Sequence, residues 1–148
     1  MMPEDRDRER PALLVSACLL GTCCNHEGRH SQRAQVEALA SEYRLVPICP
    51  EVAGGLPTPR AAAEIQGDRV VNADGDNVTA EYERGALAAV DLAVAVEARR
   101  AVLKARSPSC GAHQVYDGGF TRTLRDGEGI TAAALRAAGI EVVSEEDL

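Results

Sequence analysis

Aromatic side chains are nearly missing from this sequence: its 148 residues include no tryptophan, one phenylalanine and three tyrosines. A core without rings has to be filled by Ala, Val, Leu and Ile, and the 45% apolar content supplies them. Positive charge is short as well. Sixteen Lys and Arg against 23 Asp and Glu leave a formal charge of −7, which argues against a chain that grips a phosphate backbone by bulk electrostatics. No long hydrophobic run is present. The longest apolar stretch, GALAAVDLAVAVEA, is interrupted by Asp91 and suits a buried helix better than a membrane span. The opening MMPEDRDRERP is charged throughout and lacks the apolar segment of a secretory signal. Residues 1–11 therefore read as a disordered tip and 12–148 as a single domain. The cysteine count is odd. Five cysteines without a signal peptide do not make a secreted disulfide framework; the expected location is cytoplasmic, where clustered thiols bind metals or do chemistry.

What is there is an alternation of short apolar runs and helical stretches. ALLVSA (residues 12–17) reads as a buried strand feeding the loop CLLGTCCNHEG. SQRAQVEALASEY predicts a helix with Ser31 as its N-cap. Residues 45–48 form a strand in which Pro47 argues against a central position. Pro50, Gly54, Gly55, Pro57 and Pro59 then predict a long shaped loop without regular structure. GDRVVNADGDNVT suggests an extended pair or turn about Asp74-Gly75 and Asp76-Asn77. An Ala-rich helix is expected over 79–97 and a buried strand over 101–105. HQVYDGGFTRTL carries a hairpin signal centred on Asp117-Gly118-Gly119. TAAALRAAGIEVV predicts a helix, a stop at Gly139 and a strand over 140–143. The pattern is that of an α/β, three-layer, Rossmann-like domain with a mostly parallel sheet.

In such sheets ligands bind at the carboxyl edge of the strands. Cys18 directly follows ALLVSA, Cys49 follows LVPI, and Cys110 follows AVLKA by one short turn, so three thiols distant in sequence emerge at one edge. Thiolates in Gly- and Pro-rich loops suit a soft metal or an iron–sulfur cluster; taken singly, each is equally a small buried hydrophobe. Zinc competes, although structural zinc sites prefer closely spaced ligand pairs. The only close thiols are the adjacent Cys23 and Cys24, one of them a candidate fourth ligand or a spare thiol. Glu51, two residues after Cys49, is either a surface carboxylate or a general base at the same edge. Ser107 and Ser109 bracket Pro108 beside Cys110, as turn caps or as donors to a substrate or cluster sulfur. Asn72, Asp74, Asp76 and Glu83 imitate a calcium-loop spacing, but Asn77 stands where that loop needs glycine, so a turn accounts for them. His26, His30 and His113 fall in loops, with His26 and His113 next to the thiol-bearing segments.

The segments VSACLLGTCCNHEG, PICPEVAGGLPTPR, NVTAEYERGA, LKARSPSCG and GITAAALRAAGIEVVSEE resemble, in that order, the motifs of the TudS-like thiouracil desulfidase family, from about Leu13 to Glu146. The resemblance implies a 4Fe–4S cluster held by only three cysteines and a non-redox removal of sulfur, as hydrogen sulfide, from a thiolated pyrimidine of the thiouracil or thiouridine type. By motif the ligands are Cys18, Cys49 and Cys110, with Cys24 open as a further ligand, a sulfur acceptor or a bystander. Glu51 is the implied acid/base residue, and Ser109, then Ser107, the assisting hydroxyl. Where that family usually reads Cys-Arg-Tyr-Asp-Gly, this chain reads Cys24-Asn25-His26-Glu27-Gly28. The expected partner is a small thiopyrimidine, with no direct grip on nucleic acid and no membrane. The rival readings are a non-catalytic zinc-binding or redox-sensing thiol protein, and a domain that meets thiolated tRNA only through a partner.

Overall fold

Five consecutive small or apolar residues, Ala12–Ser16, form β1, and all five are buried. A strand with both faces covered reads as a continuous apolar run rather than an alternating one, and β1 is central in a fully parallel sheet. Its neighbours are β2 (Arg44–Ile48) and β5 (Arg100–Leu103), with β8 (Glu141–Ser144) beyond β5, giving the order β2-β1-β5-β8. Pro47 pairs with Val15 in an edge strand, where its missing N–H is tolerated. A computed structural model of the chain describes residues 10–148. Most of the tip expected over 1–11 lies outside those residues; Pro11 belongs to the folded body, its carbonyl accepting the Arg44 N–H at 2.9 Å.

The period of two along the strands sorts the core into two layers. Leu14, Ala101 and Leu103 face α3 (Thr79–Ala95) and α4 (Ile130–Ala137), packing on Ala89, Ala93, Ala132 and Leu135. Leu13, Val15 and Val102 face the other way, onto Val36, Leu39 and Tyr43. The expected three-layer α/β architecture is therefore present. Two antiparallel hairpins, β3 (Ala63–Gln66) with β4 (Arg69–Asn72) and β6 (Gln114–Tyr116) with β7 (Leu124–Asp126), stand apart from this sheet. No helix among the described residues is long and apolar enough to cross a membrane.

Three local expectations change. The helix read from Ser31 shrinks to α1 (Ala34–Glu37) plus a 3-10 turn, Ala38–Ser41. Ser31 does not cap it, because the preceding chain is tied down first: Ser31 N–H bonds the Cys18 carbonyl at 2.8 Å and Arg33 N–H that of Leu19 at 3.0 Å. The Pro- and Gly-rich stretch holds one helical turn, α2 (Pro50–Ala53), begun by a proline whose fixed φ suits a first helical position. The partner of RVVN lies upstream, across Gly67-Asp68, and one bridge, Val71 to Asn77, joins the strand across the Asp74-Gly75 turn. That turn is closed by Asn72 Oδ1, which accepts the N–H groups of Asp74 and Asp76 at 3.0 and 2.9 Å.

One close approach fixes where α3 lies. A methyl group on Gly54 would stand 1.9 Å from the Glu81 carbonyl oxygen, and one on Gly85 1.9 Å from that of Pro50. Only two glycines let α2 and α3 touch backbone to backbone. This contact holds Cys49, Pro50 and Glu51 against α3.

Candidate functional site

Each thiol reaches the sheet edge by a different local device. After β1 the chain folds through a 3-10 turn, Ala17–Leu20, which keeps Cys18 beside the strand end. Cys49 is the last residue before α2. Cys110 lies in a turn over residues 107–111, where Ser107 Oγ accepts the N–H groups of Ser109 and Cys110 at 3.1 and 3.0 Å. The free N–H groups at the start of α4 clamp the same turn: Ile130 and Thr131 donate to the carbonyls of Pro108 and Ser109, both at 2.9 Å. Cys18, Cys49 and Cys110 thereby line one cavity of about 610 Å³, together with Cys24, Glu51 and Ser107. None of the cysteines is in a disulfide.

Glu51 is held rather than solvated. Arg60 Nε donates to its Oε2 at 2.7 Å, and the two side chains are only 6% and 13% exposed. The guanidinium is itself fixed by the Cys24 carbonyl at 2.8 Å and by Pro57 O and Thr58 Oγ1, both at 3.2 Å. Tyr82, at 2% exposure, stands beside Glu51 on the α3 side; burial, and then the Glu51 charge, push its phenol above the ordinary range, so it keeps its proton. The thiols differ among themselves. Burial raises Cys18 to about 11 against the pull of Lys104, and raises Cys110 to about 12 against a hydrogen bond from Ser16. Cys49 goes the other way: the Cys24 thiol hydrogen-bonded to it, followed by the Val52 N–H and Arg60, favours its thiolate over the opposing effect of burial. Arg60 Nη2 lies 4.0 Å from Cys49 Sγ.

The sequence pattern of the 2-thiouracil desulfurase family matches residues 13–147. The chain belongs to that family. YbbK, an uncharacterised protein of Bacillus subtilis (strain 168), is 38% identical over 146 residues, spanning 92% of this chain and 97% of its own. The solved structure of TudS, a 4Fe–4S-dependent thiouracil desulfidase, superposes with a TM-score of 0.89 at 47% identity, covering 94% of this chain and 93% of that one.

Against the desulfurase motifs, the structure brings most of the expected residues together. Cys18, Cys49, Cys110 and Glu51 share the cavity, and Cys24 joins them, its carbonyl 3.6 Å from Cys49 Sγ. Cys23 is exposed. The two serines separate. Ser109 is 1% exposed, its hydroxyl 2.8 Å from Thr131 Oγ1 behind the turn, whereas Ser107 lines the cavity. His26 sits at the cavity near Glu27, while His113 pairs with Asp147 at 2.7 Å on the outside and His30 accepts the Gln32 N–H. Arg60 and Tyr82 were not singled out in the sequence. Their signals were an arginine closing the PTPR motif and a lone aromatic in an Ala-rich helix, but neither says which residue it touches.

The donors can be tested against the implied cofactor. Among the described residues, no three His, Cys, Asp or Glu side chains converge closely enough to hold one metal ion. A single zinc ion needs all its thiolates about 2.3 Å from one point. A cluster places each cysteine on a different iron and so takes a wider set. Three soft, mostly buried thiols around a roomy cavity fit a 4Fe–4S cluster.

Proposed function

We propose that this chain hydrolyses the carbon–sulfur bond of a thiolated pyrimidine, of the thiouracil or thiouridine type, using a 4Fe–4S cluster held by Cys18, Cys49 and Cys110. The observation that carries this reading is that thiols from three strand ends share one cavity with an ion-paired carboxylate. When bound, a cluster with only three protein ligands supplies one open iron, a soft Lewis acid suited to a thiocarbonyl sulfur.

The remaining chemistry belongs to the chain. Glu51 takes a proton from a water molecule, whose oxygen forms the new bond to the ring carbon. The addition moves the thiocarbonyl π pair onto sulfur; the carbon–sulfur bond then breaks with its electron pair also going to sulfur, as the proton on Glu51 and the proton of the added hydroxyl both pass to it. Thiocarbonyl and water become carbonyl and hydrogen sulfide, so no electron is gained or lost. Arg60 holds the carboxylate through Oε2, with the buried Tyr82 phenol beside it, which leaves the other oxygen for the water. Ser107 Oγ already accepts two backbone N–H groups, leaving its own proton to donate to a ring substituent. Ser107 is therefore the assisting hydroxyl in this reading. A thiolate site of this kind suits the reducing cytoplasm.

The test is iron and acid-labile sulfide per chain after anaerobic reconstitution, beside a Cys49→Ala control, followed by hydrogen sulfide release from thiouracil. About four of each per chain, falling sharply in the control, is the expected result. Little iron with tightly held zinc would overturn the proposal.

A further inference from the structure

Three of the four aromatic residues, Tyr82, Tyr116 and Phe120, line the cavity, while the fourth, Tyr43, packs on the far layer of the core. They are not equivalent. The ring of Tyr82 packs into a small core with Ile65, Val70 and Val115, and its phenol is buried beside Glu51. Tyr116 is half-buried within β6. Phe120 is 38% exposed and belongs to none of the three hydrophobic clusters. Its burial therefore contributes little to the core.

The loop that carries Phe120, residues 117–123, is nevertheless tightly specified. Glu64, a buried carboxylate on β3, accepts the N–H of Gly118 at 3.0 Å and that of Phe120 at 3.2 Å through one oxygen, Oε1. Gln66 Nε2 donates to the Gly118 carbonyl at 2.8 Å. Gly118 has φ +96°, and a methyl group there would stand 2.7 Å from the Ile65 carbonyl oxygen. Phe120 itself has φ +55°, a region a bulky residue seldom occupies. Burying a carboxylate and straining a phenylalanine backbone are both unfavourable, and they persist only where the surroundings enforce them. What they achieve here is an aromatic face held at the cavity wall.

We infer that Phe120 is the stacking surface for the pyrimidine ring of the substrate, and that Glu64 is a positioning residue that holds this ring in place through the Gly118 and Phe120 N–H groups. The inference rests on the function proposed above for the substrate being a pyrimidine. A flat heterocycle offers a π-face to an aromatic side chain whichever ring position carries sulfur, so the contact selects the ring and leaves the reacting group to the thiol side of the cavity.

The experiment uses reconstituted holoenzyme with 2-thiouracil for KM and kcat, and calorimetric binding of uracil, which needs no turnover. Phe120→Ala is expected to raise KM and weaken uracil binding by roughly 5- to 100-fold, with kcat changed by about threefold at most and iron content retained. Phe120→Tyr recovers most of the loss. Glu64→Ala raises KM in the wild-type background but adds nothing to Phe120→Ala, while Glu64→Gln, which keeps the accepting oxygen, recovers most of the affinity. Unchanged uracil affinity in a folded Phe120→Ala protein overturns the stacking role. Additive effects of the two alanine substitutions overturn the positioning role. A loaded enzyme that binds uracil through Phe120 yet releases no sulfide refutes the proposed reaction and leaves this inference standing.

Discussion

Glu51 has to be held still with one oxygen left to take a proton, and Arg60 binds it through Oε2. Its Nε engages Oε2 of Glu51 while its Nη2 is anchored on the Cys24 carbonyl, so the carboxylate is fixed by a group that is itself fixed. Lysine keeps the charge but lacks the planar fork, and it cannot span both partners in the same geometry. Arg60→Lys is therefore expected to lower kcat by roughly 10- to 100-fold, with iron content unchanged. Glu51→Gln removes the base altogether and is expected to lower kcat by about 10²- to 10⁴-fold, again with iron and acid-labile sulfide retained. Sulfide release and iron per chain, measured on the same preparations, check both. Loss of iron in Arg60→Lys would reassign the arginine to bracing the Cys49 loop.

At the scale of elements, the contact between α2 and α3 decides whether Cys49 and Glu51 are in position. Gly85→Ala puts a methyl group 1.9 Å from the Pro50 carbonyl oxygen, a backbone atom that cannot rotate away. The expected result is a loss of stability on the order of 3 kcal/mol together with reduced iron content, read by thermal denaturation and metal analysis. Leu87, an exposed side chain on the same helix, provides the comparison: Leu87→Ala is expected to change neither quantity appreciably. The helix was legible in the Ala-rich run over 79–97 and extends from Thr79 to Ala95. The role of its glycine was not, because a glycine in a helix reads only as a weak former until the opposing backbone is known.

For the whole molecule, the charge of −7 predicts weak attraction for nucleic acid. The cations around the cavity are mostly neutralised, since Arg60, Lys104 and Arg106 face Glu51, Glu145 and Glu146 at 2.7, 3.5 and 2.9 Å, and the fourth, Arg122, is exposed at its wall. The holoenzyme is expected to show no salt-sensitive binding of bulk tRNA at about 150 mM salt, as measured by filter retention. Binding that falls steeply with added salt would mean that a basic surface outweighs the net charge.

The alternation of apolar runs and helices in the sequence by itself determined the α/β class and the parallel sheet, because burial on both faces leaves a continuous apolar pattern that few other arrangements satisfy. The rule that such sheets bind ligands at their carboxyl edge then brought Cys18, Cys49 and Cys110 to one place without coordinates. Contacts between segments remote in the chain were beyond that reasoning. The family resemblance puts Ser109 ahead of Ser107, and only the clamp of α4 on the turn sends the Ser109 hydroxyl to Thr131 and leaves Ser107 at the cavity. Arg60 on Glu51, and Glu64 beneath Phe120 more than fifty residues away, likewise exist only where the tertiary structure closes the distance. Periodicity reports which face of an element is buried; which side chain meets which across the fold is decided by packing.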